Sequence, residues 1–235
     1  MNGKNARWNV LTVAAILVLG GAREAVAQWS AGTFGVLEGD TKHTALALAG
    51  ISASPKGLGF KPVISLQAFY LTYDAGDVSG RHNVFEVRPA VGLGYDYGRG
   101  DFTGTIGYSF ANENATNVAI AGDQGSGTSL SLGWDHWGAG ASEPLAYQAL
   151  YSYNFGTKST WTRGRVTARG SNSVRIGPEL AYLSGPGYSA WQPGGVLEFH
   201  MPKGQVVTVG AGAKILHPGG NAAYAKLEGY LPIGR

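Results

Sequence analysis

From residue 84 the chain alternates between apolar and polar positions. Phe85, Val87, Val91, Leu93, Tyr95 and Tyr97 share one parity, and Glu86, Arg88, Ala90, Gly92, Gly94 and Asp96 share the other. Successive side chains of a strand point to opposite faces, so this pattern predicts a strand with one apolar face and one polar or tiny face. Gly98-Arg99-Gly100 predicts a tight turn. Beyond it Phe102, Ile106, Tyr108 and Phe110 oppose Thr103, Thr105, Gly107 and Ser109. Each arm runs about ten residues or more, beyond the roughly five or six usual in soluble proteins. A tilted strand of about 9–11 residues is what crosses a bilayer. The hairpin over residues 84–111 therefore reads as part of a transmembrane β-barrel, with aromatic side chains toward lipid and charged ones toward the lumen.

The pattern recurs along the chain. It predicts strands over residues 31–39, 43–53 and 61–73, the two arms of 84–111, then 126–137, 145–155, 159–169, 173–183, 190–200, 205–216 and 222–231. Polar stretches at 75–83 and 112–125 read as loops, the second one long and extracellular. The fold class is thus all-β, an antiparallel up-and-down transmembrane β-barrel of about 12 strands, an even number as bacterial outer-membrane barrels have. Two strands carry unusual signals. In 159–169, Arg163, Arg165 and Arg169 share a parity with Trp161. Arginines facing lipid are costly, so they should face inward, and either Trp161 follows them or a bulge switches the register. In 173–183, Val174, Ile176, Leu180 and Tyr182 are expected outward, with Arg175 and Glu179 inward. Pro178 lies in mid-strand, where it removes a ladder donor and predicts local distortion.

Composition narrows the picture. The 235 residues include 38 glycines and no cysteine, and only 14% are charged, against about 25% in an ordinary soluble domain. Low charge and abundant glycine suit tight turns and small lumen residues. The absence of cysteine excludes a disulfide framework and thiolate metal sites. Lys4 and Arg7, an apolar run over 10–19 and Ala25-Val26-Ala27 read as a cleavable secretory signal over residues 1–27, leaving 28–235 as the barrel. The formal net charge is +3; removing Lys4, Arg7, Arg23 and Glu24 leaves about +1, too balanced to argue for nucleic acid.

Candidate chemistry concentrates in the lumen. Inward parity gathers Glu86, Arg88, Arg163, Arg165, Arg175, Glu179 and Glu198, joined by Asp96, Lys214, Lys226 and Glu228. Such groups either guide a polar solute or polymer, or form inward ion pairs that plug a narrow barrel. Barrels of about eight strands fill with side chains and those of sixteen or more keep a channel, so twelve falls between, and the large inward residues favour the plug. Asp135-His136, flanked by Trp134 and Trp137, is the nearest thing to an enzymatic site. Packing in an interfacial aromatic belt explains it better. No nucleophile–base motif, metal-ligand spacing or phosphate-binding loop is visible, so no catalytic residue and no cofactor is assigned.

The second half of the chain carries a family resemblance. Trp161-Thr162-Arg163 leads into Ile176-Gly177-Pro178-Glu179, followed by Tyr188, Trp191, Gly210-Ala211-Gly212 and Ala223-Tyr224. This order resembles the BcsS family of cellulose-biosynthesis proteins, loosely over 85–230 and best over 159–195. The resemblance implies a non-enzymatic outer-membrane accessory of cellulose or exopolysaccharide production and secretion. Its implied partners are outer-membrane lipid and the cellulose secretion machinery or a glucan chain. The alternatives from the residues are a narrow channel for small solutes and, further off, a lipid-modifying outer-membrane enzyme.

Overall fold

The computed structural model describes residues 29–74, 80–115, 125–137, 143–185, 188–217 and 219–233. Its strands are β1 (Trp29–Asp40), β2 (Ala45–Pro55), β3 (Gly59–Asp74), β4 (Arg81–Asp96), β5 (Gly100–Ala115), β6 (Gly127–His136), β7 (Leu145–Asn154), β8 (Ser159–Arg169), β9 (Val174–Gly185), β10 (Tyr188–His200), β11 (Val206–His217) and β12 (Gly220–Ile233). Each pairs antiparallel with its chain neighbours. β12 returns to pair with β1, from Ala31↔Ile233 to Asp40↔Tyr224, so the sheet closes without an edge. The twelve-stranded closed barrel agrees with the sequence pattern. The expected signal segment, residues 1–27, lies outside the described residues.

The alternation places the faces as expected. Phe85, Val91, Leu93, Tyr95, Phe102, Ile106, Tyr108 and Phe110 are exposed on the outer surface, while Glu86 is buried inside. Outward aromatics gather at two levels. Toward one end, Phe102 stacks on Trp134 with centroids 5.8 Å apart, and Trp134 meets Tyr147 at 6.3 Å. Toward the other lie Tyr108–Phe110, Tyr153–Phe155 and Tyr182–Trp191. Phe85 and Tyr95 are ten positions apart on β4. At the strand rise and a tilt near 40° that spacing is about 25 Å, the height of the apolar band of an outer-membrane barrel.

Two elements differ from the sequence reading. β4 and β5 take in residues 81–83 and 112–115, which the pattern assigned to loops. The ladder continues there because polar side chains suit a wall that has left the apolar band. Tyr70 donates to Asn83 Oδ1 at 2.9 Å, and Arg81 Nε donates to Thr72 Oγ1 at 2.7 Å. The rest of the two expected loops lies almost wholly outside the described residues.

Trp161 faces inward, and the register of β8 stays constant against both neighbours, so no bulge intervenes. The distortion expected at Pro178 takes the form of an interrupted ladder. Pairing with β8 lapses for two positions and resumes in the same register at Ala168↔Ile176. Pro89 and Pro193 interrupt β4–β5 and β10–β11 in the same way. Glycine accompanies each break: a Cβ on Gly177 would lie 1.8 Å from Val166 O, one on Gly107 2.4 Å from Pro89 O, and one on Gly212 2.2 Å from Pro193 O. At each of these breaks the facing backbones lie so close that only glycine fits.

Candidate functional site

The inward charges of β8, β9, β10 and β12 meet in one cluster. Arg165 and Glu179 are direct cross-strand partners. Arg165 Nε and Nη2 donate to Glu179 Oε2 at 2.8 and 2.5 Å. The same guanidinium reaches Glu228 Oε2 at 2.7 Å and Glu198 Oε1 at 3.1 Å. Arg163 Nη1 donates to Glu228 Oε1 at 2.6 Å, and its Nη2 to Gln148 Oε1 at 2.5 Å. Lys226 bonds Glu179 and, at 2.7 Å, Glu228. Three cations thus face three carboxylates, all buried. Removal from water is costly for each ion, and the geometry offsets it with charge-assisted bonds on nearly every oxygen.

The strands between β9 and β12 make room for this cluster. β10 and β11 present Gly194, Gly210 and Gly212 to the lumen. A Cβ on Gly210 would lie 2.7 Å from Lys226 Cε, and one on Gly194 2.3 Å from Tyr224 Oη. Lys226 and Tyr224 therefore lie flat along bare backbone.

Not all of the expected lumen residues join. Glu86 and Arg88 form a separate pair, with Arg88 Nε donating to Glu86 Oε1 at 2.8 Å and Nη1 reaching Ser152 on β7 at 2.9 Å. Arg175 shares the inward face of β9 with Glu179 but does not join the cluster. Instead its Nη2 donates to the Glu143 carbonyl at 2.6 Å, because it sits at the start of β9, a full four residues below Glu179. Arg169 is at the exposed rim, bonded to Asn172. Lys214 bridges Glu38 at 2.9 Å and Asp40 at 3.0 Å on β1, and Lys61 pairs with Asp96 at 3.1 Å. Asp135 and His136 point to opposite faces. Asp135 accepts from Gln148 Nε2 inside at 2.6 Å, while His136 Nδ1 lies 3.0 Å from the Tyr97 hydroxyl within the aromatic belt.

The pattern missed one whole wall. On β1 to β4 the inward face carries an apolar patch: Phe34, Leu46, Leu48, Phe69, Leu71 and Val84 lie on the same face as Glu38 and Glu86. Register joins them, through Leu48↔Phe69, Leu46↔Leu71 and Leu71↔Val84. All six are half-buried. In 45–53 both parities are apolar or small, so alternation there carries no sign of which face is inner. Gln148 and Thr167, polar and uncharged, also escaped notice. Thr167 donates to Glu198 Oε2 at 3.2 Å.

Among solved structures, the chain is similar to the KdgM porin, with 15% identity, TM-score 0.48, and coverage of 84% of this chain and 97% of that one. It is also similar to the translocator domain of the autotransporter NalP from Neisseria meningitidis, with 8% identity, TM-score 0.48, and coverage of 96% and 94%. A third likeness is to the outer membrane protein opdK from Pseudomonas aeruginosa, with 7% identity, TM-score 0.40, and coverage of 87% and 98%. No curated protein matches the sequence. The family profile of the cellulose biosynthesis protein BcsS does match, over residues 22–229, nearly the whole barrel. The chain therefore belongs to the BcsS family of cellulose biosynthesis proteins.

Proposed function

We propose that the protein is a non-enzymatic accessory of cellulose, or related exopolysaccharide, biosynthesis and secretion, resident in the outer membrane after export by a cleavable signal over residues 1–27. The family match over residues 22–229 carries this reading. The closed barrel supports it, because an outer surface of exposed Val, Leu and aromatic side chains between two aromatic levels requires lipid around it. The inward groups at the lumen centre are paired with one another rather than arranged as nucleophile, base and oxyanion donors, which supports a non-catalytic role. Glucan elongation draws on a nucleotide sugar at the cytoplasmic side, so a protein of this kind acts after synthesis, on the emerging polymer or on the secretion machinery that delivers it.

Deleting the gene tests the proposal. Extracellular cellulose should fall or lose its order, while glucose incorporation by isolated inner membranes stays normal. Normal cellulose together with altered uptake of small solutes would favour a narrow channel instead. Loss of incorporation by the inner membranes would count against both.

A further inference from the structure

The lumen is chemically two-sided. Along β8 to β12 and β1, the cations away from the β8–β9 rim are cancelled by neighbours: Arg163, Arg165 and Lys226 by Glu179, Glu198 and Glu228, and Lys214 by Glu38 and Asp40. Across β1 to β4 the wall carries an apolar patch, built on Phe34, Leu48 and Phe69, and on Leu46, Leu71 and Val84 above them. Glu86 beside Phe69 is held by Arg88 at 2.5 Å. Trp161 faces the lumen from β8, five strands round the barrel from β3 and so nearly opposite Phe69, with the Arg163 guanidinium 5.5 Å from its ring centre.

A wall that leaves apolar rings half-exposed inside a hydrophilic lumen is a recognition surface by default. The paired charges say what it recognises. An ionic solute gains little from carboxylates and guanidiniums already satisfied by each other, and on the apolar side it meets the Glu86–Arg88 and Lys61–Asp96 pairs, which are likewise satisfied. A solute with C–H faces and hydroxyl edges, carrying no charge, matches both walls. We infer that the β1–β4 lumen wall, centred on Phe69, binds an uncharged glucan segment, its flat C–H faces against Phe69, Phe34 and Leu48 and its hydroxyls toward the carboxylates and amides opposite. This rests on the cellulose reading, which specifies the β-linked chain, an extended ribbon with two such faces.

The test uses the full barrel, purified in detergent and shown to be folded by its heat-modifiable gel migration. Cellohexaose, maltohexaose and hexagalacturonate are titrated by calorimetry against the wild type, Phe69→Leu and Phe85→Leu. Leucine keeps the apolar volume and removes the flat ring, so the barrel survives, and Phe85 is the outward control. Saturable binding of cellohexaose is expected, weaker for the α-linked and the anionic hexamers. It should weaken about fivefold or more in Phe69→Leu and stay unchanged in Phe85→Leu. No saturable cellohexaose binding, equal or tighter binding of hexagalacturonate, or an unchanged Phe69→Leu titration overturns the site. Complementation separates it from the broader reading. If deletion abolishes ordered cellulose and Phe69→Leu restores it fully, the site falls and the accessory role stands. If deletion leaves cellulose normal, the accessory role falls, and the assignment of cellulose to this wall falls with it.

Discussion

Glu179 is the carboxylate on which the lumen cluster turns, since it receives Arg165 twice and Lys226 once, with only 2% of its side chain exposed. Removing one partner of a buried ion cluster leaves the rest charged and short of a counter-ion, at a cost of about 3–5 kcal/mol. Glu179→Ala should therefore unfold at markedly lower temperature or urea concentration than the wild type. The combined variant Glu179→Gln with Arg165→Gln should recover part of the loss, because neither charge is then left alone. An unchanged midpoint for Glu179→Ala would show that the carboxylate contributes nothing to folding. This residue was legible in the sequence: an acidic side chain on the same parity as Arg175, in the strand after three same-parity arginines, has nowhere to go but inward. What alternation could not give was depth. Arg175 shares Glu179's face and not its height along the barrel, so it reaches the Glu143 carbonyl instead.

At the level of the strand, lipid-facing and lumen-facing positions differ in what they tolerate. Val91 and Leu93 are 59% and 63% exposed on the outer face. Cysteines there and at Leu132 should react with lipid-soluble probes and resist aqueous ones, and Val91→Lys should cost about 2–4 kcal/mol near the midplane. Aqueous labelling of all three in native membranes would contradict the facing. The proline–glycine breaks give a second expectation. Gly177→Ala forces a methyl onto the Val166 carbonyl and should destabilise by about 1–3 kcal/mol, whereas Gly164, with nothing within 4 Å of its Cβ position, should accept alanine with little change. Equal midpoints for the two variants would show that the strands at Pro178 do not approach closely. Twelve strands were readable because period-2 alternation survives wherever the two faces differ. The extra lengths of β4 and β5 were not, because Arg81-His82-Asn83 and Asn112-Glu113 look the same in a loop as in a strand that has emerged from the membrane. The apolar lumen wall was hidden for a related reason: Leu46 and Leu48 alternate with alanines, and two apolar parities give no facing.

Across the whole molecule, side chains join strands that are not neighbours. Arg163 and Arg165 on β8 reach Glu228 on β12, Gln192 on β10 reaches Glu38 on β1 at 2.7 Å, and Arg88 on β4 reaches Ser152 on β7. These chords narrow the lumen at its middle. In a planar bilayer the wild-type barrel should pass only small currents, and Arg165→Ser with Glu228→Ser should raise the single-channel conductance. A large wild-type conductance that the double variant leaves unchanged would mean that ions bypass the cluster. The seam between β1 and β12 carries a different consequence. It joins residues about 200 apart in sequence, as in Ala31↔Ile233. Until the last strand has been delivered, the growing sheet has two raw edges, each able to pair with another chain. Closure is thus a late, long-range event of the slow kind. A chain stopped before β12 would lose more than one-twelfth of its wall. It would remain an open ribbon, sticky at both ends, for the cell's quality control to clear.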